Sequence, residues 1–114
     1  MVVDHRQKCL IWLYTYLYGK GSMEFEWDLS KESENIRKHS VTFGEAATCF
    51  SDPQGIQLMD SEHSKSEVRY FWIGMSSDGR ILTTRFTLRG DVIRIIGSAD
   101  WRKFRRIYSE ATKN

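Results

Sequence analysis

Three apolar segments separated by short turns fill the second half of the chain and constrain its fold most strongly. They read VRYFWIGM (68–75), ILTTRFTL (81–88) and VIRIIGS (92–98), and the connections SSDGR and RGD carry the glycines that tight turns need. Segments rich in β-branched and aromatic residues between turn signals predict neighbouring antiparallel strands. The weaker segment IQLMD adds one more, so a meander of about four strands is expected.

The RGD turn determines which side chains of the last two strands share a face. A two-residue loop, whether it is Arg89-Gly90 or Gly90-Asp91, gives the same alternation of side chains. One face then carries Arg85, Thr87, Arg89, Val92, Arg94 and Ile96, and the other carries Leu82, Thr84, Phe86, Leu88, Ile93 and Ile95. The second set is nearly all apolar and predicts the core face, so three arginines are expected on the opposite, uncovered face.

The same register extends to the preceding strand and predicts an RNA-binding surface. A turn at residues 78–79 places Tyr70 and Trp72 beside Arg85, and it places Arg69 on the apolar face, where a nearby acid must pair with it. Guanidinium groups bind phosphate and aromatic rings stack on exposed bases, so the combination suits RNA. An outer face that is charged only to keep the sheet soluble is the alternative.

The segments around the meander predict one further strand and three helices. MEFEW (23–27) alternates apolar and acidic residues, as a strand does. Asp28, Thr42 and Asp100 are the expected N-caps of the three helices, and Pro53 ends the second helix. The fold class is therefore α+β, with an N-terminal strand and two helices, the antiparallel meander, and a C-terminal helix.

Charge is distributed unevenly along the 114 residues, which are enough for one domain. Residues 23–67 hold ten acidic and four basic residues, whereas residues 68–114 hold ten basic and four acidic ones. The basic half could face phosphate and the acidic half a basic partner, unless the two interdigitate and cancel. Cys9 and Cys49 show no zinc-ligand spacing, and a buried Cys49 thiol is typical of a reducing, intracellular protein.

Residues 1–22 have a different pattern from the rest of the chain. Their apolar run CLIWLYTYLYG is shorter than the roughly 20 residues of a membrane span, and no small-residue cleavage site follows it. Met23 begins the better-patterned segment, and GKGS before it is compatible with a ribosome-binding site in the gene. We predict that residues 1–22 are an over-extended start and that residues 23–114 form the domain; a membrane-surface or partner-binding extension is the alternative.

The histidines do not form a metal-binding pattern, and neither a metal nor a cofactor is expected. His39 follows Lys38 at a helix end, where it could be a general base or a cap of the helix dipole. His63 lies in a polar loop, where a solvated side chain is expected. By themselves the residues indicate a small domain with a basic sheet face and do not identify an enzyme.

Two sequence blocks are specific enough to indicate a family. They are W-D…N-x-x-K-H-x-V-x-F-x-E-A, and E-x-R…I-G-x-S…G-R-x-L…R-x-x-x-x-R-I-I. From Met23 on, the sequence resembles the BrnT family of toxins. The resemblance implies a RelE-like ribonuclease fold and a cytoplasmic type II toxin that cuts RNA and halts translation. It also implies a BrnA-like antitoxin in a 2:2 heterotetramer, with operator DNA contacted only through the antitoxin and no membrane contact.

The resemblance also suggests site residues. The matched positions are Lys38, His39, Glu67, Arg69, Arg89 and Arg94. Many members continue after the last strand with SARRAT, whereas this chain continues with GSADWRKFRRIY. If that run supplies cations, they come here from Arg102, Lys103, Arg105 or Arg106.

These residues give a mechanistic hypothesis. Cleavage without a metal needs a base for the ribose 2′-hydroxyl, an acid for the leaving oxygen, and cations for the developing charge. Arg89 and Arg94 are the expected cations, Glu67 or His39 the base, and Lys38 or an arginine the acid. The expected RNA contacts come from Arg69, Tyr70, Trp72, Arg85 and Arg102. A nucleic-acid-binding or antitoxin-binding co-repressor module without catalysis is the alternative function.

Overall fold

The computed structural model describes residues 11–18 and 21–113, with side chains described from Met23 onward. The strands of this part are β1 (Ile11–Tyr18), β2 (Gly21–Asp28), β3 (Ile56–Met59), β4 (Arg69–Met75), β5 (Ile81–Arg89) and β6 (Val92–Ala99). The α-helices are α1 (Leu29–His39), α2 (Phe43–Thr48) and α3 (Arg102–Thr112), and 3₁₀ turns cover Cys49–Ser51 and Ser61–His63. The strands form one sheet in the order β1-β2-β6-β5-β4-β3.

The α+β prediction is confirmed. Strands β3 to β6 form the antiparallel meander, and β2 pairs parallel with β6, the last strand of the chain. β1 pairs antiparallel with β2. Residues 1–10, 19 and 20 lie outside the described residues, and the start at Met23 stays a prediction. None of the helices in the described ranges is long and apolar enough to cross a membrane.

The helix starts confirm two of the three expected caps. Asp28 Oδ1 accepts from the backbone of Ser30 at 2.8 Å, and Thr42 Oγ1 accepts from Glu45 N at 3.0 Å. The Asp100 cap is wrong by one position, because Trp101 occupies the N-cap and offers no side-chain hydrogen bond. The Asp100 carboxylate instead pairs with Arg105 Nε at 2.8 Å.

An aromatic cluster between α2 and the sheet forms the core. The Phe50 ring lies 5.4 Å from Phe25, 5.3 Å from Trp72 and 5.1 Å from Phe86, measured between ring centres. Phe86 belongs to the apolar set that the hairpin alternation predicts for the core face, so that prediction is confirmed. Cys49 is buried and unpaired, and burial, with smaller effects of nearby carboxylates, raises the pKa of its thiol to about 12.

The opposite face is covered at one end, which corrects the expectation of a fully uncovered face. The Phe104 ring of α3 packs 4.9 Å from the Phe71 ring of β4, and Ile73 beside it is fully buried. β4 has apolar side chains on both of its faces, so it contacts the 3₁₀ turn Cys49–Ser51 through one face and α3 through the other. The Tyr108 hydroxyl fixes α3 further by donating a hydrogen bond to Asp52.

Where β2 ends, helix α1 takes its place beside β6. The Asn35 side chain accepts from Ser98 N at 3.1 Å and donates to Ser98 O at 2.8 Å, as a neighbouring strand would. Its amide also donates to Val41 O at 3.0 Å. These bonds hold the C-terminal end of α1 beside β6, where Lys38 and His39 lie.

Candidate active site on the arginine face

Four arginines lie on the face of the sheet opposite the core. The two-residue RGD loop closes the β5–β6 hairpin, and Thr87 pairs with Arg94. Because side chains alternate along a strand, Arg85, Arg89 and Arg94 share one face, as the alternation predicts. Arg69 pairs with Thr87 from the other side and joins them. We call these four arginines the arginine face.

The predicted positions of Tyr70, Trp72 and Arg69 are wrong. Tyr70 pairs with Phe86 and Trp72 pairs with Thr84, so both rings lie on the core face. There they pack against the aromatic cluster and are not available to stack on bases at the arginine face. Arg69 lies on the arginine face and not on the apolar one.

The turn between β4 and β5 explains all three errors. Ser76 N donates to Arg80 O at 2.7 Å, so residues 77–79 form a three-residue loop, with Gly79 in the left-handed region at φ 85°. The sequence predicts a two-residue turn at 78–79. One additional residue moves every side chain of β4 to the other face of the sheet.

Glutamates lie among the arginines and pair with them to different degrees. Glu67 lies between Arg69 and Arg89, with N–O distances of 3.8 and 3.6 Å, too long for hydrogen bonds. Arg94 donates to Glu26 at 2.9 Å. The Arg89 side chain is 52% exposed and that of Arg94 is 18% exposed. Arg89 is therefore the member of the face with the most freedom to bind an anion.

Lys38 and His39 do not lie with Arg89 but with Arg85. They line a cleft of about 230 Å³ between the end of α1 and the sheet, together with Arg85 and Trp101. The His39 ring meets the Trp101 ring edge-on at 5.9 Å, and Lys38 Nζ lies 3.7 Å from Glu34. A bulge in β6 places Gly97, which also lines the cleft, opposite Arg85.

The candidate residues therefore form separate groups, and two of these groups include Arg85. Glu67 contacts Arg69 and Arg89, Arg94 contacts Glu26, and Lys38 and His39 share a cleft with Arg85. Arg102 lines a second cleft of about 370 Å³, which also includes Arg85 and the rings of Phe71 and Phe104. The roles of these residues in binding or catalysis stay predictions.

The sequence interpretation missed a group formed by Asp60, His63 and Arg85. His63 Nδ1 lies 3.0 and 2.9 Å from the two carboxylate oxygens of Asp60, so the solvated-loop expectation for His63 is wrong. Arg85 Nε lies 2.9 Å from Asp60 Oδ2. The only local signal is the three-residue spacing of Asp60 and His63; the contact with Arg85 depends on the tertiary fold.

The environment of Asp60 keeps its carboxylate ionised. Burial by itself would raise the pKa of the Asp60 carboxyl, and its side chain is only 4% exposed. The hydrogen bond with His63 and the charge of Arg85 outweigh burial and hold that pKa below its ordinary value. Across the described residues, no group of three or more His, Cys, Asp or Glu side chains could hold a metal ion.

The family can now be assigned. A family model described as "Ribonuclease toxin, BrnT, of type II toxin-antitoxin system" matches residues 27–104, which include α1 and α2, strands β3 to β6, and the start of α3. A toxin of this type implies an antitoxin partner. A comparison with individual curated proteins gives no match. Because the family model covers well over half of the 114 residues, the chain belongs to the BrnT family of ribonuclease toxins of type II toxin–antitoxin systems.

Proposed function

We propose that this chain is a metal-independent endoribonuclease that binds and cleaves RNA on its arginine face. The observation that supports this most directly is the placement of four guanidinium groups on one side of the sheet. One guanidinium group can bind two phosphate oxygens at once, and it stays charged at every physiological pH. RNA carries a phosphate at each nucleotide, so a row of such groups can follow its backbone.

The proposed chemistry is attack of the ribose 2′-oxygen on the adjacent phosphorus. The bond to the 5′-oxygen breaks, and the products carry a 2′,3′-cyclic phosphate and a 5′-hydroxyl. Negative charge grows on the phosphate oxygens during this step, so cations placed beforehand stabilise the transition state. Arg89 and Arg94 are assigned to that charge and to the flanking phosphates, with Arg69 and Arg85 beside them.

Replacement of both Arg89 and Arg94 by alanine tests this function. We expect the double variant to cleave RNA at least about 100-fold more slowly than the wild type, because removal of even one such stabilising group typically costs that much. Cleavage is followed on a labelled RNA in EDTA, and mass spectrometry identifies the cyclic phosphate. Full activity of the double variant would remove the proposed site.

The same assay separates this function from the co-repressor alternative. A non-catalytic module binds RNA with a strong salt dependence and leaves it intact. Gln57→Ala is the matched control, since Gln57 is exposed and lies in β3 opposite Trp72 of the core face. Loss of cleavage in EDTA with recovery on adding a divalent cation would contradict metal independence.

The proposed partner is a BrnA-like antitoxin in a 2:2 complex that binds operator DNA through the antitoxin. The sequence resemblance and the family's type II system support this assignment. Cleavage of cellular RNA would halt translation in the cytoplasm, and growth arrest on expression of the toxin alone is the expected result. A co-purified complex with a measured mass of one toxin and one antitoxin would contradict the stoichiometry.

A further inference from the structure

The loop that carries His63 is fixed to the edge of the sheet by hydrogen bonds. Asp60 N donates to Arg69 O at 2.8 Å, and Arg69 N donates to Ser64 Oγ at 2.8 Å. The Ser64 hydroxyl donates to Asp60 O at 2.7 Å, and His63 N donates to the same oxygen at 3.2 Å. Asp60 and His63 therefore sit at a defined position beside the arginine face, although the segment reads as a polar loop.

The contact with Asp60 orients the His63 ring. An ionised carboxylate only accepts hydrogen bonds, so Nδ1 must carry the proton that it donates to Asp60. In the neutral imidazole the lone pair is then on Nε2, at the other side of the ring. The His63 side chain is 44% exposed, so Nε2 can be reached from the solvent side. A buried carboxylate that orients a histidine in this way is a recurrent arrangement for a general base.

A cleft of about 310 Å³ joins this pair to the arginine face. Its walls include Asp60, His63 and Arg85, with Phe71 and Phe104 on the side of α3, and Lys103 adds a second cation. The guanidinium of Arg85 lies 5.4 Å from the centre of the Phe71 ring. The cleft thus combines a proton acceptor, positive charge for a phosphate and an aromatic surface for a base.

We infer that His63 is the general base of the proposed ribonuclease reaction, that Asp60 is its positioning residue, and that Arg85 stabilises the phosphate under attack. This inference rests on the proposed function and deepens it. His63 Nε2 takes the proton of the 2′-hydroxyl, and the 2′-oxygen forms a bond to phosphorus. The phosphorus–5′-oxygen bond breaks, the 5′-oxygen takes a proton from solvent water, and the imidazolium returns its proton to solvent.

The two bases that the sequence suggests are placed less well for this role. Glu67 lies between Arg69 and Arg89 at N–O distances of 3.8 and 3.6 Å, which are too long for hydrogen bonds that would orient its carboxylate. The His39 ring packs edge-on against Trp101 and, among the described side chains, forms no ion pair with a carboxylate that would orient it. Of these three candidate bases, only His63 is oriented by a buried carboxylate. That carboxylate, Asp60, also contacts Arg85.

The test is His63→Ala in the cleavage assay, with free imidazole added in a second series. We expect kcat to fall about 10²–10⁴-fold, which is the usual contribution of a general base. The dissociation constant for RNA, measured with a 2′-deoxy substrate analogue, should stay within about twofold, since the arginines that bind phosphate remain. Imidazole should restore part of the lost rate, because free imidazole can take the proton that His63 accepts in the wild type.

Two further variants complete the experiment. Asp60→Asn should lower kcat and leave RNA affinity within about twofold, a split that a purely structural defect would not produce. Gln57→Ala is the matched control away from the site and should keep kcat. Thermal unfolding of each variant confirms that it is folded.

The outcomes separate the two proposals. Wild-type cleavage with an unchanged rate in His63→Ala, or a loss that imidazole does not restore, overturns the role of His63 and leaves the proposed ribonuclease function standing. Absence of cleavage by the wild-type chain overturns the ribonuclease function and the role of His63 together.

Discussion

Two arginine–glutamate pairs on opposite sides of this molecule have very different geometry. Arg80 Nε donates to Glu45 at 2.9 Å, a second guanidinium nitrogen reaches the other carboxylate oxygen, and the same nitrogen donates to Ser40 O at 3.1 Å. Ser76 also donates to Glu45, at 2.7 Å. Arg89, in contrast, approaches Glu67 only to 3.6 Å. The Glu45 side chain is 11% exposed, and that of Glu67 is 34% exposed.

The difference shows how the fold separates structural charges from charges available to a ligand. The Arg80–Glu45 pair joins α2 and the loop after α1 to the turn between β4 and β5, and the donors of Arg80 are largely used. At 3.6 Å Glu67 does not accept a hydrogen bond from Arg89, so the Arg89 guanidinium can bind a phosphate without first breaking a strong bond to this carboxylate. An arginine can therefore be assigned to an anion-binding site only when the acceptors around it in the folded structure are known.

The largest effect on stability should come from breaking the Arg80–Glu45 pair, which we call the enclosed pair. Glu45→Gln keeps the side-chain volume but removes the charge that Arg80 and Ser76 contact. Hydrogen bonds to charged groups contribute about 1.5–3 kcal/mol, so we expect a loss of that size in the free energy of unfolding. Urea unfolding followed by fluorescence of the tryptophans measures it.

Glu67→Gln is the matched substitution at the Arg89–Glu67 pair, which we call the open pair. It should leave the free energy of unfolding nearly unchanged, because exposed ion pairs contribute little. Equal losses in the two variants would contradict the distinction between the pairs. RNA affinity of the folded Glu45→Gln protein should equal that of the wild type, since the pair lies away from the arginine face.

Local patterns account for most of the fold and for three of the four arginines of the arginine face. The β5–β6 hairpin could be predicted because both possible two-residue loops at RGD give the same alternation, and an apolar set of residues confirms the choice. The Asp28 and Thr42 caps follow from bonds within three residues. Such features depend on neighbours in sequence and need no knowledge of the tertiary structure.

The errors arose where one residue or one distant contact decides the outcome. The three-residue turn before β5 reverses the faces of Tyr70 and Trp72, and nothing in SSDGR distinguishes it from a two-residue turn. Helix α3 can cover this part of the sheet only because Phe71 faces it. The direction of Phe71 is determined by the same β4–β5 register. The sequence predicts a solvated His63 because it does not show that Asp60, the partner of His63, is held by Arg85 of β5.

Acid should remove the contribution of the enclosed pair progressively. The hydrogen bond from Arg80 is the main cause that holds the pKa of the Glu45 carboxyl below its ordinary 4.5. Between the folded and the unfolded pKa the unfolded chain binds more protons, so stability from this pair is complete above pH 4.5 and is lost as the pH falls through the lower folded pKa. The difference in unfolding free energy between the wild type and Glu45→Gln should therefore shrink from pH 7 to pH 3.

That difference isolates Glu45 from other acid-sensitive groups. The pKa of Asp52 also lies below its ordinary value, because hydrogen bonds from Tyr108 and backbone amides outweigh burial, but this carboxyl is present in both proteins. Its titration cancels when one curve is subtracted from the other. A difference that stays constant down to pH 3 would show that the Glu45 charge does not supply the stability.

A similarly small effect on stability is expected for Arg89→Ala, the variant that tests the Arg89–Glu67 pair most sharply. Arg89 is half-exposed and has no hydrogen bond to Glu67, so the free energy of unfolding should change by no more than about 0.5 kcal/mol. RNA binding should nevertheless weaken. The plot of log affinity against log salt should become less steep by about 0.7, the value for one phosphate contact on a single strand. If the urea midpoint fell as far as in Glu45→Gln while the salt slope stayed the same, Arg89 would be a structural residue like Arg80, and the arginine face would lose its most accessible phosphate contact.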